Sequence, residues 1–293
     1  MEKIFEWLDN PENIAWIKQN LIYIILIAVA FVCLLWFIKY MSSKRNRQHF
    51  KFHMHHLSYV LGLRKTISRR WVGRVHVHEC FDPLVDFLPH KNIIFNNDTV
   101  EQPNLIRKKV LLKLYKIADK LPEGTNLLVF STFRSKAKIN EAWKAAIRHI
   151  MDENSDIGIN AAMKLARLKT SDPKDNSGGH GTGAAVDVAL CNDKGEMFDY
   201  GTKFHEFTDI TLTRSSKLTR EQKYNRKHLV KLMKKYGFVN FPTEWWHFSY
   251  GDRVWAAYKG RRHGGIYASA ETEVDGTYKF TIPVNRSIHE SHK

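Results

Sequence analysis

The longest hydrophobic stretch of the chain is an unbroken apolar run at residues 21–38, LIYIILIAVAFVCLLWFI, which holds neither charge nor proline. Its length is just enough to cross a bilayer as a helix. A cleaved signal peptide is the competing interpretation, but it would carry a basic leader and a following small-residue cleavage site. Here the leader is acidic, and the basic segment KYMSSKRNR follows the run. The pattern therefore predicts a transmembrane anchor at residues 21–38, after a short N-terminal segment at 1–20.

The charges that flank this run predict its orientation. A basic juxtamembrane segment at residues 39–60 follows it, and positive charge marks the cytoplasmic side of a membrane helix. The sequence thus predicts a single-pass protein of the cytoplasmic membrane with its large domain in the cytoplasm. The basic residues that decide this are Lys39, Lys44, Arg45, Arg47 and Lys51.

Helical spacing of apolar residues recurs further along. In residues 104–121 an apolar stripe, with lysines opposite, predicts a helix; its members are Ile106, Val110, Leu114 and Ile117. A second helix is predicted from Asn140. A third begins at a capping box formed by Thr219 and Gln222 and ends at Gly237.

Strand-like runs alternate irregularly with these helices. NLLVFSTF at 126–133 and AAVDVAL at 184–190 read as buried strands, and the aromatic stretch at 238–252 is also strand-like. This order predicts an α+β fold with a central, mainly antiparallel sheet and flanking helices. We place the large domain at residues 61–262 and a polar tail at 263–293.

Composition narrows the function classes. A hydrophobic fraction of 43% fits a globular core, and three scattered cysteines match neither a disulfide framework nor a zinc finger. The net charge of +16 suits anionic partners. No nucleic-acid-binding motif accompanies it, so we do not expect nucleic acid as a partner, and the membrane accounts for part of the charge.

Two short motifs carry candidate chemistry. SGGHGTGAAVD places His180 and Asp187 around small residues, and EWWHF places Glu244 three residues before His247. Two imidazoles and one carboxylate form a common ligand set for catalytic zinc, and a carboxylate that does not bind the metal can move protons. Each residue alone could be structural; the combination is far more specific. Because residues three apart in a strand face opposite sides, Glu244 is expected at a turn or bulge before the strand.

These motifs resemble those of the VanX-type D-alanyl-D-alanine dipeptidases, zinc peptidases that share a fold with D,D-carboxypeptidases and the hedgehog signalling domain. The resemblance covers roughly residues 104–258. It implies one Zn²⁺ bound by His180, Asp187 and His247, with Glu244 as catalytic base. It also implies that Arg134, in VFSTFRS, stabilises the transition state.

The chain departs from that pattern where substrate would bind. The family serine before the first histidine is replaced by Gly178, with Ser177 adjacent as a candidate substitute. An aspartate thought to hold the substrate's amino group is replaced by His205, and Glu206 is a candidate substitute. The expected substrate is D-alanyl-D-alanine or a related cell-wall dipeptide.

Two alternatives remain open. One is a D,D-carboxypeptidase or endopeptidase that acts on peptidoglycan stem peptides outside the membrane. The other is a zinc-stabilised binding module without turnover, against which the presence of Glu244 and Arg134 argues, since binding alone needs neither. The sequence does not fix an oligomeric state.

Overall fold

The computed structural model describes residues 10–99, 104–170, 173, 179–272 and 278–281. It divides into two compact units, Met1–Met54 and His55–Lys293.

The first unit is dominated by a helix of 32 residues, α1 (Pro11–Ser42). Its first turn is capped by Asn10, whose side-chain oxygen accepts a hydrogen bond from the Glu12 backbone N–H. The helix is apolar on every side, none of its residues is buried, and by length and composition it could cross a membrane. It contains the whole run predicted as an anchor, and it extends over residues 11–20 before the run and over residues 39–42 after it.

The second helix, α2 (Lys44–Val60), spans the boundary between the two units. The elements of the second unit follow in chain order: α3 (Arg69–Val72), β1 (Leu84–Asp86), β2 (Ile93–Phe95), β3 (Leu105–Arg107), α4 (Lys108–Ala118), β4 (Asn126–Ser131), α5 (Lys136–Glu153), α6 (Ile159–Lys169), a 3₁₀ turn (His180–Thr182), β5 (Ala185–Cys191), α7 (Arg220–Lys235), β6 (Val239–Asn240), β7 (His247–Ser249), α8 (Arg253–Tyr258), β8 (Ser269–Thr272) and β9 (Tyr278–Thr281).

A five-stranded sheet in the order β2-β4-β5-β7-β6 forms the centre of this unit. Only β2 and β4 run parallel; the other three pairs are antiparallel. Two further pairs, β1-β3 and β8-β9, form separate two-stranded sheets. The predicted α+β class with a mainly antiparallel central sheet is therefore confirmed.

The main core lies between this sheet and its helices. Helix α4 contributes the predicted stripe of Val110, Leu114 and Ile117, all fully buried, and every residue of β4 and β5 is buried. Strands buried on both faces read as nearly continuous apolar runs, which explains why both were recognisable in the sequence. The capping box at the start of α7 is present as predicted, with both of its hydrogen bonds.

The start of one predicted helix differs from the structure. The helix predicted from residue 104 begins only at Lys108, because residues 105–107 form β3 and pair with β1. Ile106, assigned to the helical stripe, is instead buried in that strand. Beyond residue 262, in the segment predicted as a polar tail, Tyr267 lies in the main core and β8 pairs with β9.

Candidate active site

His180 is presented by a tight turn between two glycines. The 3₁₀ turn ends at Gly183, whose positive φ of 68° favours glycine. The His180 ring Nδ1 lies 2.6 Å from the Thr132 carbonyl oxygen just beyond β4. Since that carbonyl can only accept, Nδ1 carries the hydrogen and Nε2 is left as the electron-pair donor. The turn therefore fixes both the position and the tautomer of the ring.

A buried arginine holds this turn from behind. The Arg107 guanidinium donates to the carbonyls of Thr182, Asp82 and Ala268, and it forms a two-pronged ion pair with Glu79 at 3.0 Å. Both side chains of the pair are fully buried. Planar, forked donors suit such multiple contacts, and a buried pair of this kind fixes geometry more than it adds stability.

Asp187 lies in the centre of the sheet. It is the third residue of β5, paired with Ser131 of β4 on one side and with His247 of β7 on the other. Its carboxylate is almost completely buried. A bare carboxylate there would be costly unless paired or metal-bound, and both histidines contact it.

The three side chains converge on one point. His180 Nε2 lies 3.1 Å from Asp187 Oδ2 and 3.2 Å from His247 Nδ1, and His247 Nδ1 lies 3.0 Å from Asp187 Oδ1. With zinc-to-ligand distances of about 2.0–2.1 Å, a tetrahedral site separates its donor atoms by about 3.3 Å. The observed separations are within a few tenths of that value, so the donor set fits one Zn²⁺ and leaves the fourth position for water or substrate.

The charges within this group are strongly coupled. Burial alone would raise the pKa of Asp187, but the two histidines hold it well below its usual range. Burial lowers the pKa of His180 despite the pull of Asp187 in the opposite direction. For His247, burial lowers the pKa but hydrogen bonding and charge from Asp187 outweigh it, so the net direction is upward.

Glu244 sits between two turns immediately before β7, as the sequence argument expects. Asn240 braces this segment: its side-chain amide donates to the carbonyls of Glu244, Trp245 and His247 at 3.1–3.2 Å. The Asn240 side-chain oxygen in turn accepts from Thr213 Oγ1 at 2.6 Å. One side chain therefore ties the Glu244 turn to the strand that carries His247.

The electrostatic surroundings of Glu244 suit a proton acceptor. Burial raises its pKa, and the negative charge of Asp187 acts in the same direction, whereas His247 and Arg134 lower it. A general base works best when its pKa approaches the working pH. The same interactions show that Glu244 and the three-residue cluster share one electrostatic environment.

Arg134 follows β4 and lies at the same edge. Its backbone N–H donates to the His180 carbonyl at 3.2 Å, and its Nη2 donates to Ser131 Oγ at 3.2 Å. Its charge lowers the pKa values of His180 and Glu244, so the guanidinium lies within electrostatic range of the cluster. The structure thus brings together the five residues that the sequence singled out for chemistry: His180, Asp187, His247, Glu244 and Arg134.

Two of the three predicted substrate-binding residues, His205 and Glu206, lie within the described structure. His205 has a positive φ of 58°, stacks on Phe204 at 3.9 Å and lies within electrostatic range of Asp187 and Arg134. Its pKa is lowered, chiefly by burial. The Glu206 carboxylate accepts a hydrogen bond from the Lys203 backbone N–H at 2.8 Å. Ser177 lies outside the described residues.

The loop that carries His205 is fastened by Arg226 of α7. This buried guanidinium donates to the carbonyls of Tyr200, Ile210 and Leu212 at 2.7–2.8 Å. Burial lowers its pKa to about 10, so it stays charged at neutral pH. Neither Arg226 nor Asn240 was identified from the sequence. The only local signal for Asn240 is the turn-forming sequence NFPT, which gives no indication of its three acceptors.

The chain is similar to known proteins over the part that carries these residues. A family profile described as D-ala-D-ala dipeptidase, Peptidase_M15, matches residues 91–263. A D-alanyl-D-alanine dipeptidase of Synechocystis sp. is 35% identical over 95 residues, which are 29% of this chain and 38% of the relative. One from Enterococcus faecium is 24% identical over 142 residues, 47% of this chain and 67% of the relative. The chain thus spans well under half of the first relative's length.

Solved structures with lower similarity include two vancomycin-resistance enzymes. The D,D-pentapeptidase VanY, in complex with Zn(II), has a TM-score of 0.34 and 16% identity, over 67% of this chain and 96% of that chain. The D,D-dipeptidase VanXYg, bound to a D-Ala-D-Ala phosphinate analogue, has a TM-score of 0.31 and 18% identity, over 61% of this chain and 62% of that chain.

Proposed function

Because this chain belongs to the Peptidase_M15 family, we propose that it is a zinc-dependent D,D-peptidase that hydrolyses D-alanyl-D-alanine or a closely related cell-wall dipeptide. The observation that carries the proposal is the convergence of His180, Asp187 and His247, with donor atoms 3.0–3.2 Å apart, in one electrostatic environment with Glu244 and Arg134. A site with all five groups has the parts that amide hydrolysis needs.

The three residues would hold a single Zn²⁺, which when bound would supply a Lewis acid that acidifies water and polarises the scissile carbonyl. Glu244 takes a proton from the attacking water and later returns it to the leaving amine. Its raised pKa suits both halves of this task, since a very weak base would not accept the proton and a very strong one would not release it.

Arg134 stabilises the negative charge that forms on the carbonyl oxygen during attack. The hydrogen bond from its Nη2 to Ser131 Oγ and that from its backbone N–H to His180 fix the guanidinium before the reaction begins. A preorganised donor of this kind is typically worth about 3–4 kcal/mol of barrier. Arg134→Ala should therefore lower kcat by about 100- to 1,000-fold.

A second candidate, D,D-carboxypeptidase activity on longer stem peptides, is favoured by one observation. His205 stands where the resembling dipeptidases have an aspartate, and the lowered pKa of this histidine favours its neutral form at pH 7. A neutral imidazole near the Arg134 cation offers no charge attraction to a free ammonium group. A substrate whose amino group is acylated needs no such attraction.

The discriminating experiment compares amino-acid release from D-Ala-D-Ala with release from a pentapeptide ending in D-Ala-D-Ala. The full chain in detergent is used, once stripped of metal with a chelator and once reloaded with Zn²⁺. Cleavage of the free dipeptide, dependent on zinc, supports the dipeptidase. Preferential cleavage of the pentapeptide supports the carboxypeptidase, and His205→Asp should then shift the preference back towards the dipeptide.

A matched variant separates catalysis from metal binding. Glu244→Ala should abolish hydrolysis of either substrate yet leave zinc bound, because Glu244 is not among the three ligands. Hydrolysis retained by Glu244→Ala would contradict the mechanism, and turnover by neither the parent nor any variant would leave only a binding role for the zinc site.

For the N-terminal helix we propose a membrane anchor that leaves the second unit in the cytoplasm. The support is the length and apolar surface of α1 together with the basic segment that follows it. Protease accessibility of the second unit in intact and permeabilised cells tests the orientation. Digestion without permeabilisation would place the unit outside and favour stem peptides as substrates.

A further inference from the structure

The ring of His247 is held at both of its nitrogens. Nδ1 lies 3.0 Å from Asp187 Oδ1 within the ligand cluster, and Nε2 lies 3.4 Å from Ser249 Oγ on the opposite side. If Nδ1 donates its electron pair to a metal, the neutral ring must carry its hydrogen on Nε2. The Ser249 hydroxyl then has to accept that hydrogen bond, and its own hydrogen has to point elsewhere.

A buried carboxylate is available to receive that hydrogen. Asp252 is almost completely buried, and its Oδ1 caps α8 by accepting from the Trp255 backbone N–H at 2.7 Å. Its Oδ2 is also buried, and among the described residues no donor meets ordinary hydrogen-bond geometry to it. Burial raises the pKa of Asp252, while the nearby Ser249 hydroxyl opposes that rise. An unpaired buried carboxylate oxygen is costly in free energy. The folded state therefore favours the hydroxyl rotamer in which Ser249 donates to this oxygen.

The backbone before His180 closes this space. A Cβ built on Gly179 would lie 2.7 Å from Asp252 Oδ2 and 3.1 Å from Ser249 Oγ. Both oxygens therefore border the same small volume, directly behind the turn that presents His180. There is no room there for a side chain at position 179.

We propose that Ser249 and Asp252 are positioning residues: the Asp252 carboxylate orients the Ser249 hydroxyl, which holds His247 with its hydrogen on Nε2 and Nδ1 directed at the metal. This inference rests on the zinc site of the proposed function. Metal-binding histidines commonly donate their second N–H to a carboxylate or carbonyl, and here a serine hydroxyl connects the ring to the carboxylate. Loss of such a partner typically weakens metal binding by about 10- to 100-fold.

The test measures zinc affinity rather than turnover. The metal-stripped full chain in detergent is titrated with Zn²⁺ in competition with a chelator of known affinity. Ser249→Ala should weaken zinc binding by about tenfold or more. Asp252→Asn should act in the same direction, and because asparagine caps helices as well as aspartate does, α8 keeps its N-cap. Ser215→Ala, at another buried serine outside the site, serves as the control and should bind zinc like the parent.

Two further readouts separate positioning from general destabilisation. The melting temperature of each metal-free variant should stay near that of the parent while zinc affinity falls. The double variant should lose little more affinity than Ser249→Ala alone, because both residues act through one hydrogen-bonded chain.

Several results would overturn the inference. Zinc affinity of Ser249→Ala within twofold of the parent, or losses in the double variant equal to the product of the two single losses, would contradict the chain of hydrogen bonds. If the parent binds zinc normally under those conditions, only this inference fails and the metal site stands. If the parent itself binds no zinc, both this inference and the proposed function fail.

Discussion

Replacing Gly179 with alanine tests how tightly the turn before His180 is enclosed. The backbone there has a φ of −66°, which any residue adopts, so the obstacle is steric rather than conformational. A Cβ at this position would lie 2.6 Å from the Ala185 Cβ and 2.7 Å from Asp252 Oδ2. Carbon atoms normally approach to about 3.5–4.0 Å, so the turn has to shift by about 1 Å.

The expected cost follows from that overlap. Forcing extra volume into a packed site costs about 1–3 kcal/mol, whereas the loss of glycine's freedom in the unfolded chain returns about 0.4–1 kcal/mol. For a domain of this size each kcal/mol moves the melting temperature by about 2–4 °C. Gly179→Ala should therefore melt several degrees below the parent, and its zinc affinity should fall because His180 is displaced.

Gly181, two residues further along, is a matched control. A Cβ at Gly181 would first meet Ile139 Cδ1 at 3.4 Å, the near edge of ordinary contact with the end of a flexible side chain. Gly181→Ala should leave the melting temperature nearly unchanged or slightly raised. The assay is thermal unfolding of the full chain in detergent with excess chelator, followed by zinc titration. Equal losses in the two variants, or no loss in Gly179→Ala, would refute the steric argument.

Three further predictions concern other parts of the site. Burial raises the pKa of Glu244, and a carboxyl with a raised pKa stabilises the folded state at low pH but loses that effect as the pH rises through the raised value. At pH 7 the buried charge therefore destabilises the parent, and Glu244→Gln in the metal-free protein should melt above it. The difference should close towards about pH 4, near the ordinary pKa of glutamate, and a lower melting temperature at pH 7 would contradict the reasoning. Arg107→Met leaves Glu79 buried without its partner and should lower the free energy of unfolding by about 3–5 kcal/mol in denaturant titrations; a loss below about 1 kcal/mol, the typical value of an exposed pair, would show that the pair is not buried in solution. Asn240→Ala frees the turn that carries Glu244 and should lower kcat/KM more than it lowers zinc affinity, whereas the reverse order would show that the brace serves His247 instead.

The elements with strong local signals could be predicted from the sequence. Strands β4 and β5 are nearly continuous apolar runs, and a capping box marks the N-terminus of α7. The short pair β1-β3 could not be predicted, because three residues carry no periodicity of their own and Ile106 fits the helical stripe of α4 equally well. Only pairing with a distant strand decides its conformation.

The same division applies to the site. His180 and Asp187 lie seven residues apart in one motif, and Glu244 and His247 lie three apart in another, so resemblance could bring the four together. The residues that hold these four in place could not be inferred from the sequence. Asn240 acts through backbone carbonyls, and the contacts of Ser249 depend on a strand register and a helix cap that meet only in the folded chain. Partners that are backbone atoms leave no trace in the identity of the residues they belong to.

The fastening of the 200–212 loop by Arg226 has a consequence for how the specificity of such a protein can evolve. In these three hydrogen bonds the guanidinium donates to backbone carbonyls, those of Tyr200, Ile210 and Leu212. Every amino acid supplies such a carbonyl. Mutations of the loop's side chains therefore leave its attachment intact, while the proposed metal ligands remain fixed in the sheet and its adjoining turn. Under the proposed function, position 205 can therefore change by single substitutions without rebuilding the proposed metal site, which opens a short route to a change of substrate.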